Sequence, residues 1–302
     1  MSKVIVLGAK GRFGRAAVHA FLAQGWNVRA FVRGANTDLP KGVERFVGDA
    51  FDADLLRKAC EGCDIIVNAL NLPYENWAKD LPRLTLSVIT AAKANDAHVL
   101  IPGNVYNYGE NAPEVLCEDT PWEPTTRKGK LRVEMETAYR TAGVRTIVLR
   151  SGDFIEREKS GNWFDAHIAV KSHAGKTMYP GPLGQMHAWA YLPDAARAAV
   201  MLADKRAQFS TFEEFGFEGF SVTGTALIDA IAKAVGRKQK VTKLPWALLW
   251  MMGRVSPAMR EIYEMRYLWR VPHRVDGQKL AQQLPEFQLT PLDEALRAVL
   301  NP

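Results

Sequence analysis

The stretch Val4-Ile5-Val6-Leu7-Gly8-Ala9-Lys10-Gly11-Arg12-Phe13-Gly14 decides how the rest of the chain is read. Four apolar residues without a polar face predict a short strand buried on both sides. Glycines then stand at positions 8, 11 and 14. Beyond them Ala16, Ala17, Ala20, Phe21 and Leu22 fall mostly on one helical face, and Gly25 stops the pattern. Strand, glycine turn and helix in that order predict a dinucleotide-binding βαβ unit. Each glycine has its own task. Gly8 turns the chain sharply off the strand. Gly11, lacking a Cβ, lets backbone N–H groups approach a pyrophosphate, and Gly14 lets the helix pack close to the strand. The helix N-terminus adds free donors and a partial positive charge. Gly8, Lys10, Gly11, Arg12, Phe13 and Gly14 are the first candidate cofactor residues.

The pattern repeats along the chain. Strands are predicted over 27–33, 43–47, 64–68, 99–101 and 145–149, and helices over 52–59, 80–94 and 126–141. Apolar strands alternating with helices imply an α/β fold, a doubly wound parallel sheet of Rossmann type. After Ser151 the regularity fades into glycine, proline and aromatic residues, followed by helical stretches to Leu300. The expected division is a dinucleotide-binding core over 1–155 and a mainly substrate-binding, small α-rich lobe over 156–302, with some segments returning to the core.

Composition narrows the partners. A formal charge of +6 in 302 residues is mild. Neither dense basic patch, around Arg127–Arg132 or Arg237–Lys240, carries the interleaved aromatics of a nucleic-acid surface, so no nucleic-acid partner is expected. A mild positive excess suits phosphate-bearing small ligands. The most apolar run, Leu244 to Met252, is too short to span a bilayer, and no stable membrane insertion is expected. Being apolar all round, it suits a buried helix or a subunit interface, which leaves a homodimer open. Cys60-Glu61-Gly62-Cys63 spells C-x-x-C, but no second pair completes a zinc site. Two reduced core cysteines and no metal are expected. The chain opens directly on its first strand without a secretory pattern, and the cytoplasm is the expected location.

The cofactor is read from the strand ends. An acidic residue after the second strand holds a ribose 2′-OH, whereas a basic one accommodates a 2′-phosphate. Arg33 stands there and Arg12 in the glycine loop. A guanidinium fork matches phosphate geometry, so NADP(H) is preferred, with NAD(H) as the alternative. Asp49 follows the third strand and is expected near the adenine. Ala69 and Leu70 leave the fourth strand on the carboxyl edge, where ligands lie in open α/β sheets.

Several later segments are similar to the short-chain dehydrogenase/reductase superfamily in its extended or atypical branch, which includes the NAD-dependent epimerase/dehydratase family. Asn104-Val105-Tyr106-Asn107-Tyr108-Gly109 resembles the segment after that family's fifth strand, and Glu118-Asp119-Thr120-Pro121 the acidic loop before its catalytic helix. Leu149-Arg150-Ser151-Gly152-Asp153-Phe154 resembles the turn after its sixth strand, and Ala190 to Ala198 a later helix start. The resemblance covers nearly the whole chain, and the order of the motifs is its specific part. It implies hydride transfer involving a nicotinamide, with a tyrosine passing the proton and a lysine four residues on lowering its pKa and holding the ribose. In this register Lys130 takes the lysine's place. Four residues earlier stands Thr126, and the serine region reads Ile101-Pro102-Gly103-Asn104 with no hydroxyl. A threonine hydroxyl does not replace a phenol. Tyr106 is the first substitute proton donor, ahead of Tyr191 and His187. Asn104, Tyr106 and Tyr191 are the expected substrate residues. The implied function is an NAD(P)-binding oxidoreductase or epimerase-like enzyme acting on a small carbonyl or alcohol. With the usual tyrosine and serine absent, a sensor that binds NADP(H) without turnover is the rival, as in the nitrogen-metabolite-repression regulators of the same superfamily.

Overall fold

The computed structural model describes residues 2–301. Seven strands, β1 (Lys3–Leu7), β2 (Asn27–Val32), β3 (Glu44–Val47), β4 (Ile65–Asn68), β5 (His98–Gly103), β6 (Thr146–Ser151) and β7 (Phe212–Phe217), form one sheet. Their spatial order is β3-β2-β1-β4-β5-β6-β7, with every adjacent pair parallel. Strand order reverses between β1 and β4, and this opens a crevice at the carboxyl edge.

Helices α1 (Arg12–Ala23), α2 (Ala53–Ala59), α3 (Trp77–Ala94), α4 (Arg127–Thr141) and α5 (Leu192–Asp204) cover the sheet. α1 and α5 take one face and α2, α3 and α4 the other. The unbroken apolar character of β1 follows from this layering. Val4 and Val6 enter the core under α1 and α5, while Ile5 and Leu7 enter the opposite core. Alternate residues of a strand point to opposite faces, so a doubly covered strand has no place for a polar one. Two segments beyond residue 155 complete this core. α5 buries Ala195, Ala198, Ala199 and Leu202, and β7 extends the edge beside β6.

The smaller lobe is built on a three-stranded sheet of residues 153–155, 186–191 and 220–223. Around it lie α6 (Gly224–Val235), α7 (Trp246–Met252), α8 (Pro257–Glu264) and α10 (Leu292–Leu300), while α9 (Gln278–Gln283) lies against β7 and buries Leu280 at the edge of the main core. Its core joins Ile155, Phe164, Trp189, Leu227, Trp269 and Leu296. Of the two expectations for 244–252, a buried helix or a subunit interface, the first is corrected here. No residue of α7 is buried. Trp246 anchors it, its Nε1 donating to the Pro180 carbonyl at 2.6 Å, but Leu248 and Trp250 are each 47% exposed. A seven-residue helix apolar all round packs on α8 on one side, and no further layer closes over the other.

Cys60 and Cys63 are free and buried at the end of α2, and burial pushes the Cys60 thiol up to about 12. Among the described residues no group of acidic, histidine or cysteine side chains is arranged to hold a metal.

A second buried feature is ionic. Arg150 on β6 is 1% exposed. Its Nη2 donates to Glu136 of α4 at 2.7 Å, its Nε donates to Glu214 of β7, and its Nη1 donates to the Asn104 carbonyl at 2.5 Å. Burial opposes the charge, but Glu136, Tyr108 and Glu214 outweigh it, so the guanidinium is held more firmly protonated than usual. Removing one partner leaves an uncompensated buried charge. Glu136→Ala is expected to cost about 3–5 kcal/mol of stability. Urea denaturation checks this, and a loss below about 1 kcal/mol contradicts it.

Candidate active site

The glycine turn is as tight as its sequence requires. Gly8 has φ +74°, and a Cβ there would stand 2.7 Å from the Ala69 carbonyl oxygen. A Cβ on Gly14 would stand 2.2 Å from the Gly8 oxygen. Gly11 donates its N–H to that same oxygen at 2.8 Å. No side chain caps α1, which leaves its first N–H groups for a ligand. Gly8, Lys10, Gly11, Arg12 and Phe13 line a cleft of about 1190 Å³, above the usual size for one small ligand. Gly14 is not on its wall; its part is the close packing of α1. Arg33, Asp49, Ala69 and Leu70 line the same cleft. A backbone cradle that a Cβ would fill, opening beside a basic strand end, fits a dinucleotide diphosphate.

Arg12 is engaged differently from Arg33. Its guanidinium donates to Ser160 Oγ at 2.7 Å and to the Ser160 carbonyl at 3.0 Å, with Glu156 at 3.7 Å. It ties the glycine loop to residues 159–162, which also line the cleft. Arg33 is exposed on the cleft wall.

At the far end the register on α4 is corrected. Lys130 is exposed and is not on the cleft wall. Lys128, Arg132 and Glu136 form the inward face. Two residues turn a helix by about 200°, so Lys130 lies on nearly the opposite side. Thr126 is the N-cap, its hydroxyl accepting from Gly129 N at 3.1 Å. Lys128 is 1% exposed, donates to the Glu261 carbonyl and carboxylate at 2.7 and 2.8 Å, and also pairs with Glu264. Arg132 reaches the cleft and donates to the Pro102 carbonyl at 3.1 Å. The spacing Lys128-x-x-x-Arg132-x-x-x-Glu136 was the available signal.

Tyr106 lies on the wall, in a single helical turn after β5. Asn104, also on the wall, holds that turn by accepting from Tyr106 N at 3.1 Å. The Tyr106 hydroxyl lies 3.2 Å from the hydroxyl of Tyr74, a residue the sequence reading missed. Burial, then Tyr74 and Asp153, raise the Tyr106 phenol well above its ordinary value, so it is protonated at neutral pH. Asp153 faces the cleft with His187 Nε2 2.9 Å from its Oδ2. His187 itself is off the wall, stacked on Trp269 at 4.2 Å. His273 is on the wall, and burial and His187 lower it to about 4, which keeps it neutral. Tyr191 is corrected: it is half-buried and not on the wall. It shares a strand face with His187 and Trp189, which packs into the lobe core instead.

The fold and cleft define a nicotinamide-dinucleotide-binding protein. Residues 8–167 match the family described as NAD(P)H-binding, more than half of the chain, and the chain belongs to that family. A 3-diazoavenalumate denitrifying reductase of a Streptomyces species is 28% identical over 228 residues, covering 68% of this chain and 73% of that protein. The UDP-glucose 4-epimerase of Thermotoga maritima, solved with UDP-glucose, superposes with TM-score 0.79 at 15% identity over 99% of this chain and 97% of that one. That of Bifidobacterium longum, solved with NAD+ and UDP, gives 0.76 at 17% identity with the same coverage. At these identities the structures establish a shared fold and nothing further.

Lys130 and Arg132 of α4 are separable by mutation. Lys130→Ala is expected to leave NADPH affinity within about twofold, while Arg132→Ala lowers affinity or turnover at least about tenfold. Fluorescence titration and initial rates check this, and equal effects would return Lys130 to the cofactor.

Proposed function

We propose that this protein is an NADP(H)-dependent reductase of small, flat or apolar carbonyl compounds, with Tyr106 as the proton donor. One observation carries the reading. The cleft that begins at the glycine cradle ends at two hydrogen-bonded phenols, Tyr74 and Tyr106, with Arg132 on the same wall. The bound nicotinamide supplies a hydride to the substrate carbon. Tyr106 gives its proton to the carbonyl oxygen, and the Tyr74 hydroxyl 3.2 Å away keeps the phenol oriented. Arg132 supplies positive charge where that oxygen becomes anionic. Aromatic walls, including Trp77 and Trp163, suit a flat substrate and exclude water. The reductase among the relatives favours reduction over epimerisation. Three free cysteines suit a reducing compartment such as the cytoplasm.

A second reading is a sensor that binds NADP(H) without turnover. It is favoured by the raised Tyr106 phenol, which no lysine assists. Incubation with NADPH and a panel of aldehydes, ketones and quinones separates the two. Loss of NADPH absorbance with any of them supports the reductase, and tight binding with no turnover across the panel supports the sensor.

Tyr106→Phe is expected to lower turnover about 100-fold or more with NADPH affinity unchanged. Retained turnover, measured by initial rates, clears Tyr106 of the role. Arg33→Asp is expected to weaken NADPH far more than NADH in a calorimetric titration. Equal losses remove the preference for the phosphorylated cofactor.

A further inference from the structure

We propose that α7 and the turn after it rest on an anionic membrane surface. The apolar side chains here are more exposed than a soluble surface needs. Leu248 and Trp250 are 47% exposed, Met251 55%, Met252 41% and Val255 88%. They are neighbours on one short helix and its turn, and no residue of that helix is buried.

The charge around the patch says what it meets. From Gly236 to Arg260 the chain carries Arg237, Lys238, Lys240, Lys243, Arg254 and Arg260, and not one Asp or Glu. All six are exposed. The first acid, Glu261, is buried and paired with Lys128. Cation and apolar surface are interleaved: the Arg254 guanidinium lies 4.1 Å over the ring of Trp250. Apolar side chains with tryptophan, with Arg254 lying on them and no acid in the flanking stretch, match the boundary between acyl chains and anionic headgroups. A second copy fits poorly, because a two-fold contact would set the same cations against themselves. Among the described residues no helix is long and apolar enough to cross a membrane, so the contact lies along the surface.

The inner side of this pair of helices adds a consequence. Ala258 and Ile262 of α8 line the cleft, at i and i+4 on one face. α7 packs on α8, so the proposed lipid contact and the cleft wall are one helix layer apart. The adsorption stands independently of the proposed reduction.

Sedimentation of the full chain with vesicles tests the inference. Binding to vesicles rich in phosphatidylglycerol is expected at least about tenfold tighter than to pure phosphatidylcholine, and weaker in high salt. Trp250→Ser with Met251→Ser is expected to lose at least about tenfold. Lys243→Glu with Arg254→Glu is expected to lose the preference for anionic vesicles. Both pairs are exposed, and unchanged melting temperature and NADPH affinity report that the fold is intact. Wild type remaining in the supernatant with anionic vesicles overturns the inference. So does undiminished binding by the Trp250/Met251 double variant. A dimer in solution that this variant dissociates also overturns it, since the occupant is then a second copy.

Discussion

Helix α1 begins where it does because backbone meets backbone at distances no side chain permits. The position a Cβ would take on Gly14 is 2.2 Å from the Gly8 oxygen, and the one on Gly8 is 2.7 Å from the Ala69 oxygen. These two approaches lock β1, α1 and the end of β4 into one corner. The uncapped N–H groups of α1 and the start of the cleft are set by that corner. Everything further along the crevice, from Arg33 to Tyr106, is positioned by strands that pair outward from β1.

The far end depends on a different kind of contact. A chain of buried charges runs from Arg132 through Glu136 to Arg150 and Glu214, crossing from α4 to β6 and β7. Arg150 also holds the Asn104 carbonyl, and Asn104 holds the turn that carries Tyr106. The tyrosine is thus placed by polar contacts that end in an ion pair. Buried ions are costly unless paired and hydrogen-bonded, so such a network tolerates few arrangements of its members. That rigidity suits a site whose phenol must stay in one place.

The small lobe shows the opposite economy. Its inner side is packed with aromatics around Trp269, which lies against Trp163, Tyr179, His187 and Trp189. Its outer side leaves α7 uncovered. The same composition that would fill a core is here presented to the surroundings, with Arg254 lying over Trp250.

Local sequence by itself determined the βαβ opening, the parallel sheet and the cofactor end of the cleft. Those features depend on short-range periodicity and on glycines that stand within seven residues of each other. Asp52 is a local case too, accepting from Leu55 N as a helix cap. Tertiary structure alone decided the rest. Which face of α4 turns inward depends on acids at Glu261 and Glu264, 133 and 136 residues beyond Lys128, so Lys128 and Arg132 looked like surface charges and Lys130 like the ligand. β7 was hidden because Glu213 and Glu214 interrupt its apolar run, and Arg150 with the Tyr108 hydroxyl makes a buried Glu214 tolerable. The exposure of α7 was equally illegible. An all-round apolar helix is expected to be buried, and whether a covering layer exists is a property of the assembled fold.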